Sequence, residues 1–480
     1  MDSGSVTNMV LSQPSSDPER RFEAKIQVWE RWGVILILTI YGILQLNNIH
    51  HRVFVGQDFG SHQDDTEHLL ANPSQWFTKN FTNRPLLYWI GGMCSKIGGQ
   101  EFAYPCAALV LTMLSLAAFG FVHASSRRFI QSPWFRLAAL ALIAFLPVTI
   151  ITAVVYAADS VALLPFALAC WALGRALDCE KAKPRMVFAV AAGVAIMVGQ
   201  LGKFTFSFIP AGVALAVGLC CLTRRLSFRP ALAVVGVAGL WPLTAGMATD
   251  LAARAATAQT KVANPAMAED FHFNWHGTGE MTWRSLFLFG RSDGRILEAP
   301  TYWDFEYIDG KPRRALLVAN NFSYPSLLHL AVFTDVLNFA AGGWNEARTP
   351  RPERQQMFSK IAVRTGLAVS ILGAAAVICF FFQIARTGEG RERDLPAGLL
   401  VWGCLGGSWF LPLVLALPFV NHVYDQGFWL PRLVLPAVWS WVLVLFYFLD
   451  RLFGKWTTAA RWAVVMVGLQ CAVQVASLWY

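Results

Sequence analysis

Long runs of apolar residues recur from one end of the chain to the other, and they constrain the fold more than any other feature. A helix needs about 20 consecutive apolar residues to cross the hydrocarbon core of a bilayer. Only 14% of the 480 residues are charged, whereas about a quarter are charged in a typical soluble domain. Because a backbone in lipid must satisfy its hydrogen bonds internally, the runs predict an all-α polytopic membrane protein.

The apolar runs predict about eleven transmembrane helices. Their expected ranges are 33–48, 102–123, 135–156, 161–177, 186–201, 204–222, 230–247, 361–384, 395–419, 431–449 and 461–480. Segment 85–98 is too short and too rich in glycine to span, so an interfacial or re-entrant helix is expected there. The predicted organisation is a cytoplasmic tail (1–32), an N-terminal transmembrane module (33–247) with an acidic first outer loop (50–84), a long periplasmic or lumenal loop (248–360), and C-terminal transmembrane helices (361–480).

Basic residues cluster in short loops between the apolar runs. With the N-terminus inside and segment 85–98 not crossing, the loops SSRR, EKAKPR, TRRLSFR, RTGEGRER and DRLFGK all fall on one side. Cytoplasmic loops carry such an excess of Lys and Arg, so the pattern predicts this side to be the cytoplasm. The net charge of +9 therefore belongs to cytoplasmic loops, and nucleic acid is not an expected partner, since no basic patch with interleaved aromatics stands out.

Most of the unusual polar residues fall on the opposite, outer face in this topology. They are Asp58, His62, Asp64, Asp65, Glu67, Arg84, Asp159, Lys203, His422, Asp425 and Arg432. Ionisable groups next to lipid are costly and are typical of functional sites. Carboxylates serve as general bases, and Arg and Lys neutralise phosphate. We therefore expect one outward-opening cavity that acts on a phosphate-linked lipid.

Several motifs follow one another in an order that resembles a known enzyme group. An apolar helix and an acidic loop precede NRPLLYW, a helix with a basic end, YAADSVALLP, LGKFTFSFIP and, late in the chain, LPRLVLPAVW. This order resembles the GT-C type polytopic glycosyltransferases, and within them the branch of protein O-mannosyltransferases and the lipid A aminoarabinose transferase. The likeness covers about residues 33–225 and 425–445. The step Arg84-Pro85-Leu86-Leu87-Tyr88 matches a basic-or-His Pro-Pro-Leu-Tyr step of that branch, with Leu in place of the second Pro.

The resemblance implies which carboxylates act in catalysis. Asp58, 27 residues before Pro85, matches the first-loop catalytic Asp, and Asp159 matches the second acid. Asp65, as part of the doubled pair Asp64-Asp65, is the competing choice for the base. A purely structural interpretation is also open, because Asp is a favoured helix N-cap and both Asp58 and Asp159 precede predicted helices.

The resemblance also implies how the donor phosphate is held. Arg84, Lys203 and Arg432 match its cationic contacts, although Leu433 stands where the group has an aromatic residue. Lys203 could instead snorkel to lipid headgroups. Auxiliary roles fall to three further residues, His62, Tyr88 and His422.

The function implied is inverting transfer of a sugar from a polyprenyl-phosphate donor to a glycan, lipid or protein acceptor, in a bacterial inner membrane with the site facing the periplasm. No cofactor is required besides the lipid-linked sugar. No metal is expected, because His272 and His276 are spaced for one helix face but lack a third ligand. The alternative is a transporter or flippase of lipid-linked sugars, which predicts charges at midplane depth in broken, repeated helices. The sequence shows no internal repeat, and its charges collect at one face.

Overall fold

The computed structural model describes residues 18–55, 59–72, 85–223, 226–246, 303–308, 311–316, 324–334, 352–386, 395–416, 434–454 and 456–479. The N-terminal part consists of α1 (Pro18–His50), α2 (Phe59–Ala71), α3 (Leu86–Gly98), α4 (Ala103–Ser126), α5 (Pro133–Phe145), α6 (Pro147–Val154), α7 (Ala158–Asp178), α8 (Ala182–Gly202), α9 (Ile209–Leu222) and α10 (Phe228–Val235). The rest consists of β1 (Trp303–Ile308), β2 (Lys311–Leu316), α11 (Tyr324–Phe333), α12 (Glu353–Arg386), α13 (Ala397–Ala416), α14 (Leu435–Phe453) and α15 (Thr457–Leu478).

The described helices confirm the predicted class of helical membrane protein. Nine helical stretches among the described residues are long and apolar enough to cross a membrane, and the pair α5 and α6 makes a tenth if it counts as one span. Two of the nine extend beyond one named helix, since Thr205–Leu222 includes α9 and Phe228–Gly246 includes α10. Helix α13 occupies the place of the remaining predicted span. Segment 85–98 forms the short helix α3, as expected. In the long loop β1 and β2 pair antiparallel, an element that the sequence analysis did not anticipate.

The predicted span 135–156 is broken rather than straight. Helices α5 and α6 meet at an angle of 56°, and Leu146 between them has the extended ψ of 128°. Pro147 explains the break, because proline lacks an N–H and its ring pushes the preceding residue out of the helical region. The break therefore follows from one residue within an otherwise uniform apolar run.

Helix α7 lies at the centre of the helix packing. In its membrane-length window 78% of the residues are buried within the protein, against 17% in the peripheral helix α12. It packs against α4, α8 and α13. Gly174 permits the last of these contacts, because a Cβ there would lie 3.2 Å from Cα of Gly398. The first turn of α7 is buried as well, from Ala158 to Val161, so packing also fixes its residues.

Polar contacts join several predicted cytoplasmic loops at one end of the molecule. The Arg128 guanidinium pairs with Asp178 at the end of α7. The Asp450 carboxylate accepts backbone N–H groups of Gln131 and Ser132 at 2.6 and 3.0 Å. A helix of α7's 21 residues is about 30 Å long, which is about the thickness of the hydrocarbon core. The first turn of α7 therefore lies about one bilayer thickness away from this basic end.

Candidate active site

The predicted site residues divide into two groups. Asp58, Arg84, His422 and Arg432 lie outside the described residues. The structure places the other five, which are His62, Asp65, Tyr88, Asp159 and Lys203.

Asp159 lies in the first turn of α7, at the end opposite the basic loops. The helix begins because Ala157 is extended (φ −146°, ψ 158°) and occupies the N-cap position without a side-chain cap bond. The interpretation of Asp159 as the helix cap is therefore wrong, since Asp159 is the second helical residue. The hydroxyl of its neighbour Ser160 lies 2.5 Å from the carbonyl oxygens of Thr152 and Val155 and shares its one proton between them.

Lys203 ends α8 and pairs with Asp159. Its backbone is extended (φ −152°, ψ 137°), and a 3₁₀ turn, Phe204–Phe208, follows it. The ammonium forms an ion pair with the Asp159 carboxylate, and each side chain is only 7% exposed. The snorkelling interpretation of Lys203 is therefore wrong, because its charge is buried within the protein. Sequence analysis had singled out both residues but had not paired them.

The first turn of α3 contacts the same place. Gly202, next to Lys203, has no side chain, and a Cβ there would lie 2.9 Å from Val161 of α7 and 3.4 Å from Leu86 of α3. Leu86 follows Arg84 by two residues in the sequence. The end of α8, the start of α7 and the start of α3 thus converge, as the predicted cavity requires.

Helix α2 turns one polar face toward this convergence. His62, Asp65 and Thr66 are buried, whereas Asp64 is exposed. The helical period explains the division, because residues three and four apart share a face. Nδ1 of His62 lies 3.2 Å from the Tyr88 hydroxyl of α3. Of the doubled acids, only Asp65 faces the protein.

Tyr156 joins α2 and α3 to the strand-like link before α7. Its hydroxyl donates to the Leu87 carbonyl at 3.1 Å and lies 2.8 Å from the Thr66 hydroxyl. Its backbone N–H donates to the Phe54 carbonyl at 3.1 Å. The sequence analysis missed Tyr156 and Thr66. The only signal was the position of Tyr156 in the YAADS motif, three residues before Asp159.

The arrangement places carboxylates of α2 and α7 and a buried ammonium at the same end of the helices. Lys has three N–H donors, and the Lys203 ammonium directs at least one of them to Asp159. A buried ion pair is costly to assemble, and it is strongly destabilising to remove one partner. Such a pair is suited to binding an anion in a fixed position beside a second carboxylate.

No family model matches the chain, and no curated protein matches its sequence. Among solved structures, it is similar to ArnT from Cupriavidus metallidurans in the apo state, with 14% identity, a TM-score of 0.34, and coverage of 88% of this chain and 77% of that one. It is also similar to ArnT bound to undecaprenyl phosphate, with 15% identity, a TM-score of 0.35, and coverage of 88% of this chain and 78% of that one. A third likeness is to the Archaeoglobus fulgidus oligosaccharyltransferase in complex with Zn and sulfate, with 13% identity and a TM-score of 0.46. It covers 92% of this chain and 53% of that one, so the chain spans about half of that protein.

Proposed function

We propose that this protein is an inverting glycosyltransferase that moves a sugar from a polyprenyl phosphate to an acceptor at the outer face of a bacterial inner membrane. The observation that carries the proposal is the buried Asp159–Lys203 pair. It lies at the helix end where α3 begins, opposite the basic loops. A buried carboxylate–ammonium pair at this end of the membrane helices suits a substrate that carries a phosphate at the membrane surface.

In the proposed reaction a carboxylate removes a proton from the acceptor hydroxyl or amine. The acceptor attacks the anomeric carbon, the bond from that carbon to the phosphate oxygen breaks, and the configuration inverts. Negative charge then grows on the departing polyprenyl phosphate. Lys203 stabilises that charge together with Arg84 and Arg432, since fixed cations are most effective where charge develops.

The proposed base is Asp58, and Asp65 is the competitor. Phe59, which follows Asp58 in the sequence, packs with ring centroids 4.8 Å from Tyr104 and 6.3 Å from Tyr156. We assign Asp159 to holding the Lys203 ammonium in place, because the two already pair.

The test is transfer by purified protein from a panel of polyprenyl-phosphate sugars, with release of polyprenyl phosphate as the readout. We expect Asp58→Asn to lower the rate about 100-fold or more, as for the loss of a general base. Asp64→Asn is the matched control, because it removes the neighbouring exposed charge. Undiminished transfer by Asp58→Asn would refute the assignment, and loss of transfer in Asp65→Asn alone would move the base to Asp65.

Transport of lipid-linked sugars remains the second candidate, and the broken span α5–α6 is the observation that favours it. Broken helices line transport sites in many carriers, where charges lie near the break. Here the single charged residue of 133–154, Arg136, lies near its start, far from Leu146. Proteoliposomes that separate sugar transfer from lipid movement distinguish the two functions, and movement without transfer would favour the carrier.

A further inference from the structure

Tyr156 is a fully buried side chain that contacts three segments of the chain at once. Its backbone donates to Phe54, in the connection between α1 and α2. Its hydroxyl reaches Leu87 of α3 and Thr66 of α2. It precedes Asp159 by three residues, so these contacts tie the two outer helices directly to the start of α7.

Two hydroxyls supply two protons to three contacts. The Tyr156 hydroxyl faces the Leu87 carbonyl, and the Thr66 hydroxyl faces the His62 carbonyl of its own helix at 2.7 Å. Either hydroxyl can donate to the other across the 2.8 Å that separates them. Burial raises the pKa of the Tyr156 phenol above its ordinary value, so the hydroxyl keeps its proton at neutral pH. Loss of either hydroxyl therefore leaves a buried polar group with fewer partners.

The ring of Tyr156 contributes a second set of contacts. Its centroid lies 5.2 Å from Tyr104, 6.3 Å from Phe59 and 6.3 Å from His62. Space for the hydroxyl depends on Gly91 of α3, because a Cβ there would overlap it. Ring packing and hydrogen bonding thus fix α2 and α3 by different interactions, which substitution can separate.

We propose that Tyr156 is a positioning residue that holds α2 and α3 in place relative to the Asp159–Lys203 pair. This inference rests on the proposed function, since it concerns the same site. The described residues it aligns are His62 and Asp65 of α2, Tyr88 of α3, and the ion pair at α7 and α8. Tyr156 itself touches no reacting atom in this scheme. Its hydroxyl acts through the two helices.

The test uses Tyr156→Phe, which keeps the ring and removes the hydroxyl. We expect kcat for transfer to fall about 10- to 100-fold, the cost of a displacement of about 1 Å in a catalytic group, while KM for the donor changes less than about twofold. Tyr41→Phe is the matched control, since Tyr41 is equally buried and packs on Phe119 of α4. It should leave kcat unchanged.

A double-variant cycle separates positioning from general loss of stability. Thr66→Val should resemble Tyr156→Phe, the double variant should be no slower than the slower single variant, and Thr66→Ser should retain activity. Substitutions of two residues that contact each other have free-energy effects that do not add. Wild-type kcat in Tyr156→Phe, or losses that add and track the folded fraction, would overturn the proposal.

If the wild-type protein transfers no sugar, the proposed function is refuted. The positioning role of Tyr156 can still be tested by hydrogen exchange. Amides of 59–71 should exchange at least about tenfold faster in Tyr156→Phe than in wild type, while those of 182–202 do not change. Local opening is reported in this way. Equal protection of 59–71 in the two proteins would overturn the positioning role.

Discussion

The Asp159–Lys203 pair predicts an unusual response to Lys203→Met. The substitution leaves the Asp159 carboxylate buried without its ammonium, and both side chains are only 7% exposed. Two unit charges 4 Å apart at an effective dielectric constant of about 20 interact by about 4 kcal/mol. Removal of one partner of a buried pair typically costs about 3–5 kcal/mol. We therefore expect a loss of stability of about that size.

The assay is thermal unfolding in detergent, followed by intrinsic tryptophan fluorescence. A loss of this size should lower Tm by at least about 3 °C. The double variant Asp159→Asn/Lys203→Met should recover most of the stability, because replacing both charges of a buried pair is often nearly neutral. The recovered protein should still fail to transfer sugar, because the cation for the phosphate is missing.

The matched control is the Arg128–Asp178 pair, whose side chains are 26% and 31% exposed. Partly exposed pairs contribute about 0–1 kcal/mol, so Arg128→Met should change Tm little. Equal effects of Lys203→Met and Arg128→Met, or a double variant less stable than Lys203→Met alone, would refute the reasoning that the first pair is buried and coupled.

Gly91→Ala should destabilise the protein by about 1–3 kcal/mol, as overpacking does, because its Cβ would overlap the Tyr156 hydroxyl. Gly120→Ala, with open space around it, should be neutral or stabilising by up to about 1 kcal/mol. A urea or thermal melt of the two variants side by side checks this, and equal losses would contradict it. Burial lowers the pKa of His329, whose Nε2 donates to the Val363 carbonyl. Because the unfolded state then binds more protons, stability should fall as the pH drops below about 6.5, by at most about 1.4 kcal/mol per pH unit for one proton. Melting curves from pH 5 to 8 should show this dependence in wild type and less of it in His329→Gln. An equal slope in the variant would assign the effect to another group.

The sequence predicts the membrane helices well, because the lengths and hydropathy of apolar runs are local properties. The fold differs from the prediction in two places, the break between α5 and α6 and the pair of strands β1 and β2. Pro147 breaks a run whose composition is uniform on both sides. The paired strands β1 and β2 also have a local signal, because WDFEYI alternates apolar and polar residues and is followed by Asp309-Gly310, a dipeptide typical of two-residue hairpin turns. An assignment based on long apolar runs does not detect this signal. Each depends on a few residues within a longer segment.

The candidate site was predictable in residue type but not in contacts. The helical period is enough to place His62 and Asp65 on one face of α2. The pairing of Asp159 with Lys203 depends on the packing of α7 against α8, which no local pattern encodes. The Thr66–Tyr156 contact joins residues 90 positions apart and follows from the three-dimensional arrangement alone.

The most direct test of the proposed site is an experimental structure of the protein with a polyprenyl phosphate bound. We predict the phosphate within about 4 Å of the Lys203 ammonium, the distance of an ion pair, with the Asp58 carboxylate on the same side of the membrane. A phosphate bound at the opposite end, beside Arg128 and Asp178, would contradict the proposed site.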